Sequence, residues 1–452
     1  MATRIPDNAA RFRLAEVAEL TGGALVGADR EVAGVITDSR RAAAETLFVA
    51  LRGETHDAHR FLPQVAEAGG AALVEKGAAC PEGLARVEVE DTLVALGALG
   101  HAWRERFAGR VVAITGSAGK TSTKELAAAG LSGAGVSALA TEGNLNNRVG
   151  VPMTLLTLGD AHEVAVIEAG TSEPGEIATL GAMIAPEIAV VTLVAAAHTQ
   201  GIGTVEDVFV EKTDLLRARI EGGVGIVNGD DERLRRCEGV RRYGFAEDAD
   251  VRVLGWRMDG PRTVARYRLG ERELEASLQL VGEAAALNGA GALAVAQALG
   301  VDLEAFCRGM GELAPVAGRM TPRPAGEALV LDDSYNANPS SVLLALRTAA
   351  RVAEARGGRL LAVLGDMKEL GALSEAKHRE VRAEADARAA RAFFVGPEMA
   401  AVGDALEDLE LDALLAAIGP LAAGDVVLVK GSRSMALERV VEALVAREEA
   451  AA

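Results

Sequence analysis

The run Val111-Val112-Ala113-Ile114-Thr115-Gly116-Ser117-Ala118-Gly119-Lys120-Thr121 constrains this chain more than any other stretch. Residues 111–114 read as a strand, a glycine-containing turn follows, and residues 122–131 read as a helix. That order aims backbone N–H groups and a helix N-terminus at one point, where they hold phosphate oxygens. Lys120 would bring a point charge to the terminal phosphates, and the Thr121 hydroxyl could ligate Mg²⁺. The competing reading is an ordinary strand-to-helix turn with a solvated lysine. Two residues separate Gly116 from Gly119, where the general phosphate loop has four, which argues against a standard P-loop kinase or GTPase.

At 452 residues the chain has room for about three domains of roughly 150 residues each. It is 50% hydrophobic and 25% charged, which suits a globular protein with full cores. No apolar run reaches the roughly 18 residues needed to span a bilayer, so no membrane partner is expected. Residues 1–13 lack an apolar signal core, which points to the cytoplasm. Cys80, Cys237 and Cys307 are scattered without metal-ligand spacing, as befits a reducing compartment. The net charge of −18 argues against nucleic-acid binding and requires local cations and Mg²⁺ to meet any anionic substrate. We expect a monomer.

The pattern along the chain predicts an α/β protein of three domains. Residues 1–108 form a small N-terminal α/β unit, with strands at 32–37, 46–51 and 71–74 and a helix at 61–67. The first of these strands runs into Asp38-Ser39-Arg40-Arg41. Residues 109–318 form a central P-loop-type domain on a parallel sheet, in which 164–167 and 188–193 are near-continuous apolar runs. Glu168 follows the first run and His198 lies soon after the second. Groups beyond the carboxyl ends of parallel strands converge on a ligand crevice, so Lys120, Glu168 and His198 should share one edge. Residues 233–279 are irregular and strand-like, and 283–299 form an alanine-rich helix carrying Asn288. Gly318-Arg319 reads as a hinge, with another near Ala108. Residues 319–452 form a C-terminal Rossmann-like domain with strands at 328–331, 360–364, 392–395 and 426–429. It has no Gly-x-Gly-x-x-Gly fingerprint, so NAD is not expected.

Several clusters carry both a plain and a functional reading. Asp332-Asp333-Ser334-Tyr335-Asn336-Ala337-Asn338 follows a strand and could bind a ligand, or form an Asx-turn and cap the next helix. Arg433, in Lys430-Gly431-Ser432-Arg433, could fork onto a carboxylate or merely cap a helix. The loop Asn144-Leu145-Asn146-Asn147 offers uncharged donors and acceptors, and is equally good turn chemistry. Lys212, on a helix at 205–219, reads from spacing alone as a surface lysine.

Taken together, these stretches resemble the Mur ligases of bacterial cell-wall synthesis, from Thr37-Asp38-Ser39-Arg40 through Lys430-Gly431-Ser432-Arg433. Gly143 to Asn147, Asp333 to Pro339 and Val363 to Gly371 point within the family to the reaction that joins D-alanyl-D-alanine to UDP-N-acetylmuramoyl-tripeptide. The resemblance implies that Gly116, Ser117, Ala118, Gly119, Lys120, Thr121 and Ser122 hold the phosphates of ATP. It places Thr121, Glu168 and His198 on Mg²⁺, and gives Lys212 as a carbamylated lysine that helps hold a second metal ion. Asn288 would face adenine, while Arg319 and Asp333 would reach the γ-phosphate and ribose. Ser39 and Arg40 would contact the UDP end, and Asn144, Asn146 and Asn147 the peptide-bearing portion. Tyr335, Asn336, Asn338, Ser432 and Arg433 would line the space where nucleotide and dipeptide meet.

The chain departs from the family pattern at Ala284, where histidine is usual, and near Thr192-Leu193, where an asparagine is missing. Those departures keep two rivals open: a P-loop kinase or GTPase that makes no amide, and a nucleotide-binding paralogue without catalysis.

Overall fold

Apolar runs punctuated by glycine turns pair into sheets across residues 3–53 and 56–451, which the computed structural model describes. The N-terminal sheet has the order Ala24–Val26, Arg86–Val89, Ala71–Glu75, Leu47–Val49, Val35–Ile36, parallel except for its first strand. The strand expected at 32–37 is broken at Gly34, whose φ of 90° turns the chain. Its first half, Glu31–Ala33, pairs antiparallel with Arg11–Arg13, and only the second half joins the sheet.

The central sheet has nine strands. Parallel pairing runs from Ala138–Ala140 through Val164–Glu168, Arg110–Thr115, Ile188–Val191, Val224–Asn228 and Arg241–Gly244 to Val251–Asp259. Here the wholly parallel sheet expected from sequence needs correction. Arg262–Leu269 and Arg272–Leu278 extend it antiparallel, through two-residue loops that open on Gly260 and Gly270 at positive φ. The irregular stretch is therefore a pair of hairpins. The helix Glu283–Leu299 packs on this end, and its Gly289 and Gly291 let Tyr267 and Tyr243 approach: a Cβ there would lie 2.4 and 3.1 Å from their rings or hydroxyl.

The C-terminal sheet runs Thr321–Ala325, Ala328–Asp333, Val426–Lys430, Leu360–Gly365, Arg391–Val395, parallel but for its first strand. The three sheets meet differently. The helix Thr92–Glu105 lies between N-terminal and central modules, and Met153 and Leu156 of the central module belong to the same apolar core as Phe12, Leu14 and Leu99. Arg104 adds bonds to the Ile184 and Ala185 carbonyls at 2.9 and 2.8 Å and an ion pair with Glu187 at 2.9 Å. A free hinge near Ala108 does not fit that continuous packing. By contrast, the C-terminal core takes only Ala196 and Val281 as buried members from the central module. Among the described residues no helix is long and apolar enough to cross a membrane.

Candidate active site

The carboxyl ends of the central parallel strands open into a cleft of about 780 Å³, roofed by the C-terminal module. Thr115 ends one strand and the chain turns at Gly116, where φ is 146° and a Cβ would sit 2.1 Å from the Thr192 hydroxyl. Gly119, at φ 84°, passes so near Asn288 that a Cβ would meet its Oδ1 at 2.7 Å. Only glycine fits either place. The helix then begins at Lys120, two residues earlier than sequence spacing gives, and its first-turn amides have no intrahelical acceptor.

The loop is braced from both sides. The Ser117 amide donates to the Leu193 carbonyl at 2.7 Å, and its hydroxyl exchanges bonds with the Ala195 backbone at 3.2 and 3.0 Å. Ser117 thus serves first as a strut, although it lines the cleft. Thr192 donates to the Ala118 carbonyl at 2.6 Å, so the position lacking the family asparagine holds the loop by a hydroxyl. Lys120 Nζ donates to the Gly116 carbonyl at 2.6 Å. Burial pushes its pKa down, Glu168 pulls it up, and Arg319 lowers it further.

Glu168 is 2% exposed and held by two donors: the Thr121 hydroxyl at 2.9 Å and Asn146 Nδ2 at 2.8 Å. His198 lines the same cleft, at a left-handed backbone position (φ 58°), and its Nδ1 is hydrogen-bonded to Glu369 of the C-terminal module. Lys120, Glu168 and His198 therefore share one cleft, as the strand-end argument requires.

Lys212 corrects the spacing argument. It lies on the helix Val205–Arg217, fully buried, with no hydrogen-bond partner for Nζ among the described residues. Desolvation drives its pKa well below the ordinary lysine value; Lys120 lowers it too, and Glu211, Glu176 and Glu168 oppose. An amine kept neutral is the form that adds CO₂, and a carbamate would turn an orphaned donor into an acceptor facing Lys120.

A hydroxyl, a carboxylate and an imidazole suit a hard divalent cation. No cluster of three or more His, Cys, Asp or Glu side chains poised for a metal occurs among the described residues. That sparse set fits Mg²⁺, which keeps several waters and takes few protein ligands.

The C-terminal module supplies the roof. Asn338 caps the helix Pro339–Arg356 through its Oδ1, which accepts from Ser341 at 2.9 Å, while its Nδ2 donates to the Ser117 carbonyl at 3.2 Å. The plain and the functional readings of Asn338 hold together. Asp333 pairs with Lys430 at 2.7 Å and accepts from the Met320 amide at 3.1 Å; burial raises its pKa against the pull of Lys430. Lys430 also donates to the Asn336 carbonyl at 2.8 Å. The Arg319 guanidinium stacks 4.3 Å above the Tyr335 ring. Asn288 and Ala284 line the cleft wall beside the phosphate loop.

Other expected residues lie elsewhere. Asn144 and Asn147 line the cleft, but Asn144 accepts from Thr3 at 2.6 Å and Asn147 caps the turn at Val149 and Gly150. Ser39 and Arg40 lie outside it: Ser39 donates to Gln64 at 3.1 Å, and Arg40 forks onto its neighbour Asp38. Ser432 accepts from the Lys368 amide at 2.9 Å, and Arg433 pairs with Glu438 at 3.1 Å, neither of them in the cleft wall. Sequence reasoning gave no part to Asp230 and Asp231, which do line it. Their place just after the strand Val224–Asn228 was the available signal.

A phosphate loop at the edge of a parallel sheet, covered by a second nucleotide-fold module, defines a nucleotide-dependent enzyme that closes over its substrates. The chain belongs to the Mur ligases: residues 114–296 match the Mur ligase middle domain, and 318–433 match the Mur ligase, glutamate ligase domain. It is 38% identical to the Escherichia coli UDP-N-acetylmuramoyl-tripeptide–D-alanyl-D-alanine ligase, over 95% of this chain and 98% of that one. A crystal structure of MurF from Acinetobacter baumannii superposes with a TM-score of 0.87 at 30% identity, covering 97% of this chain and 100% of that one. MurF from Thermotoga maritima in complex with ADP gives 0.84 at 28% identity, covering 92% and 98%. Members of this family are ATP-dependent ligases, and this chain is one of them.

Proposed function

We propose that the chain joins D-alanyl-D-alanine to UDP-N-acetylmuramoyl-tripeptide in peptidoglycan precursor synthesis, releasing ADP and phosphate. Similarity to the Escherichia coli ligase over almost the whole of both chains supports the substrates. The single structural observation that carries the chemistry is the meeting of Lys120, Glu168 and His198 in one cleft roofed by Asn336 and Asn338.

A carboxylate resists an amine, because its carbon is electron-rich and oxide leaves poorly. The terminal carboxylate of the tripeptide attacks the γ-phosphorus of ATP; a P–O bond forms, the β–γ bridge breaks, and ADP departs. The amine of the dipeptide then attacks the acyl carbon, loses a proton, and expels phosphate through a tetrahedral intermediate. Lys120, swung from the Gly116 carbonyl, neutralises charge on the transferring group, and the helix N-terminus after Gly119 holds the remaining oxygens. Thr121, Glu168, His198 and a carbamylated Lys212 would hold Mg²⁺, which when bound screens phosphate charge. Arg319, Tyr335, Asp333 and Asn288 border the nucleotide, and Asn146 ties the peptide-side loop to Glu168. The roof over the cleft keeps water from the acyl phosphate. The N-terminal module, with Ser39 and Arg40 exposed at its edge, takes the UDP end, and the C-terminal module, with Ser432 and Arg433, takes the dipeptide. The free thiols suit the cytoplasm, and one chain supplies the whole cleft wall, as a monomer requires.

The test is phosphate release from ATP with the tripeptide nucleotide, with and without D-alanyl-D-alanine, and the product weighed by mass spectrometry. Release and a coupled product are expected only when the dipeptide is present. Steady release without it would support phosphoryl transfer alone. Lys120→Ala should lower turnover by roughly 10²–10³-fold with the thermal midpoint unchanged or raised.

A further inference from the structure

We infer that Glu369, carried by the C-terminal module, is a positioning residue for His198, so that docking of this module completes the divalent-cation site of the central one. The inference rests on the reading of Glu168 and His198 as ligands of Mg²⁺ given above.

Five non-glycine residues among those described have positive φ, and two of them, His198 at 58° and Glu369 at 65°, face each other across the module boundary. Such backbone is costly without a side-chain reason, and it gathers at functional sites. His198 Nδ1 is hydrogen-bonded to the Glu369 carboxylate. Around it the two backbones are joined: the Gln200 amide donates to the Glu369 carbonyl at 3.0 Å, and the Thr199 hydroxyl to the Leu370 carbonyl at 3.0 Å.

The loop that presents Glu369 is clamped from behind. The Asp366 carboxylate, with no exposed surface, accepts from the Met399 amide at 2.9 Å and from Lys368 Nζ at 2.8 Å. The Met367 amide donates to His378 Nε2 at 3.0 Å, and the Lys368 amide to the Ser432 hydroxyl at 2.9 Å. Glu369 therefore meets the ring from a fixed base. Its own side chain is 55% exposed and outside the cleft wall, so it does not reach the nucleotide.

A metal-ligating histidine commonly gives its second ring N–H to a carboxylate, which fixes tautomer and ring direction. With Nδ1 engaged by Glu369, Nε2 is the nitrogen left for a cation. An isolated surface pair would be worth little, but surface pairs do not recruit two left-handed residues and flanking backbone bonds.

The experiment titrates Mn²⁺ into the full chain with ADP bound, reading free Mn²⁺ by electron paramagnetic resonance without turnover. Glu369→Ala should weaken Mn²⁺ by about 10–100-fold, the usual cost of losing such a partner. Glu369→Gln, whose amide oxygen still accepts the ring N–H, should recover most of that loss. Thr199→Val, which removes a docking bond and leaves the ring contact, should stay within about threefold. Unchanged binding in Glu369→Ala, or an equal loss in Thr199→Val, would overturn the inference. His198→Ala separates the two readings. If it leaves Mn²⁺ binding intact, the cation site itself is misplaced; if it weakens binding while Glu369→Ala does not, only the positioning role fails.

Discussion

Lys212 shows how one side chain can be wrong for stability and right for chemistry. Its neighbour Glu211 is well satisfied, accepting from the Gly175 and Ile177 amides at 2.7 Å each, whereas the Lys212 amine has no partner. Helical spacing could not reveal this, because the face is buried by contacts distant in sequence. Lysine on a polar helix face reads as solvated until the packing is known. The folded pKa lies below the ordinary 10.5, so between those two values the unfolded chain binds a proton that the folded chain does not. Stability therefore rises with pH through that window. Lys212→Met should stabilise the protein by about 1–4 kcal/mol near neutral pH, as replacement of a buried charge by a packed apolar group can do. The advantage should shrink as pH rises towards 10.5, where the unfolded lysine also loses its proton. Urea midpoints of the two proteins across that range measure it, and turnover of the variant should be lost. A variant less stable than its parent at every pH would mean that Nζ has a compensating partner when the protein is in solution.

The helix Pro339–Arg356 makes the corresponding case for an element. Its start was legible: Asn338, Pro339 and Ser341 spell a cap, and the residue pattern fixed where the helix begins. That the same asparagine also reaches Ser117 was not legible, because the two residues are 221 apart and nothing local encodes their meeting. The two jobs can be separated. Asn338→Asp keeps the capping oxygen and should hold stability within about 0.5 kcal/mol, yet it loses the donor and sets a negative charge against a carbonyl. Its KM for ATP should rise with the thermal midpoint near the parent's. Asn338→Ala should lose both, at about 1 kcal/mol in stability. If the two variants change KM alike and neither alters stability, the capping account is wrong. The same contrast explains what sequence could give elsewhere. Strand runs, the glycine turn and the Glu283–Leu299 helix follow from local pattern, and so were readable. The break at Gly34, the hairpins after Arg241–Gly244 and the pairing of His198 with Glu369 depend on partners distant in sequence, and were not.

At the scale of the whole chain, the boundaries between modules differ in kind, and that difference has a thermodynamic signature. N-terminal and central modules share one apolar core through Met153, Leu156 and the helix Thr92–Glu105, where a Cβ on Gly100 would lie 2.6 Å from Pro152. Separating them would expose that core to water, so they should open as one cooperative unit. The C-terminal module touches the rest mainly through polar contacts: Asn338 to Ser117, Glu369 to His198, and Arg351 stacked 3.9 Å over Trp256. Such an interface resembles a transient one and permits separate opening. In hydrogen exchange under mild urea, amides of Ala71–Glu75 and Arg110–Thr115 should therefore lose protection together, and those of Ala328–Asp333 and Val426–Lys430 at a different concentration. ADP should narrow the gap, because a ligand bound between central and C-terminal modules stabilises their docked state by mass action. One merged transition without nucleotide, or an N-terminal sheet that opens alone, would place the moving boundary elsewhere, and the cleft would then close by a motion other than that of its roof.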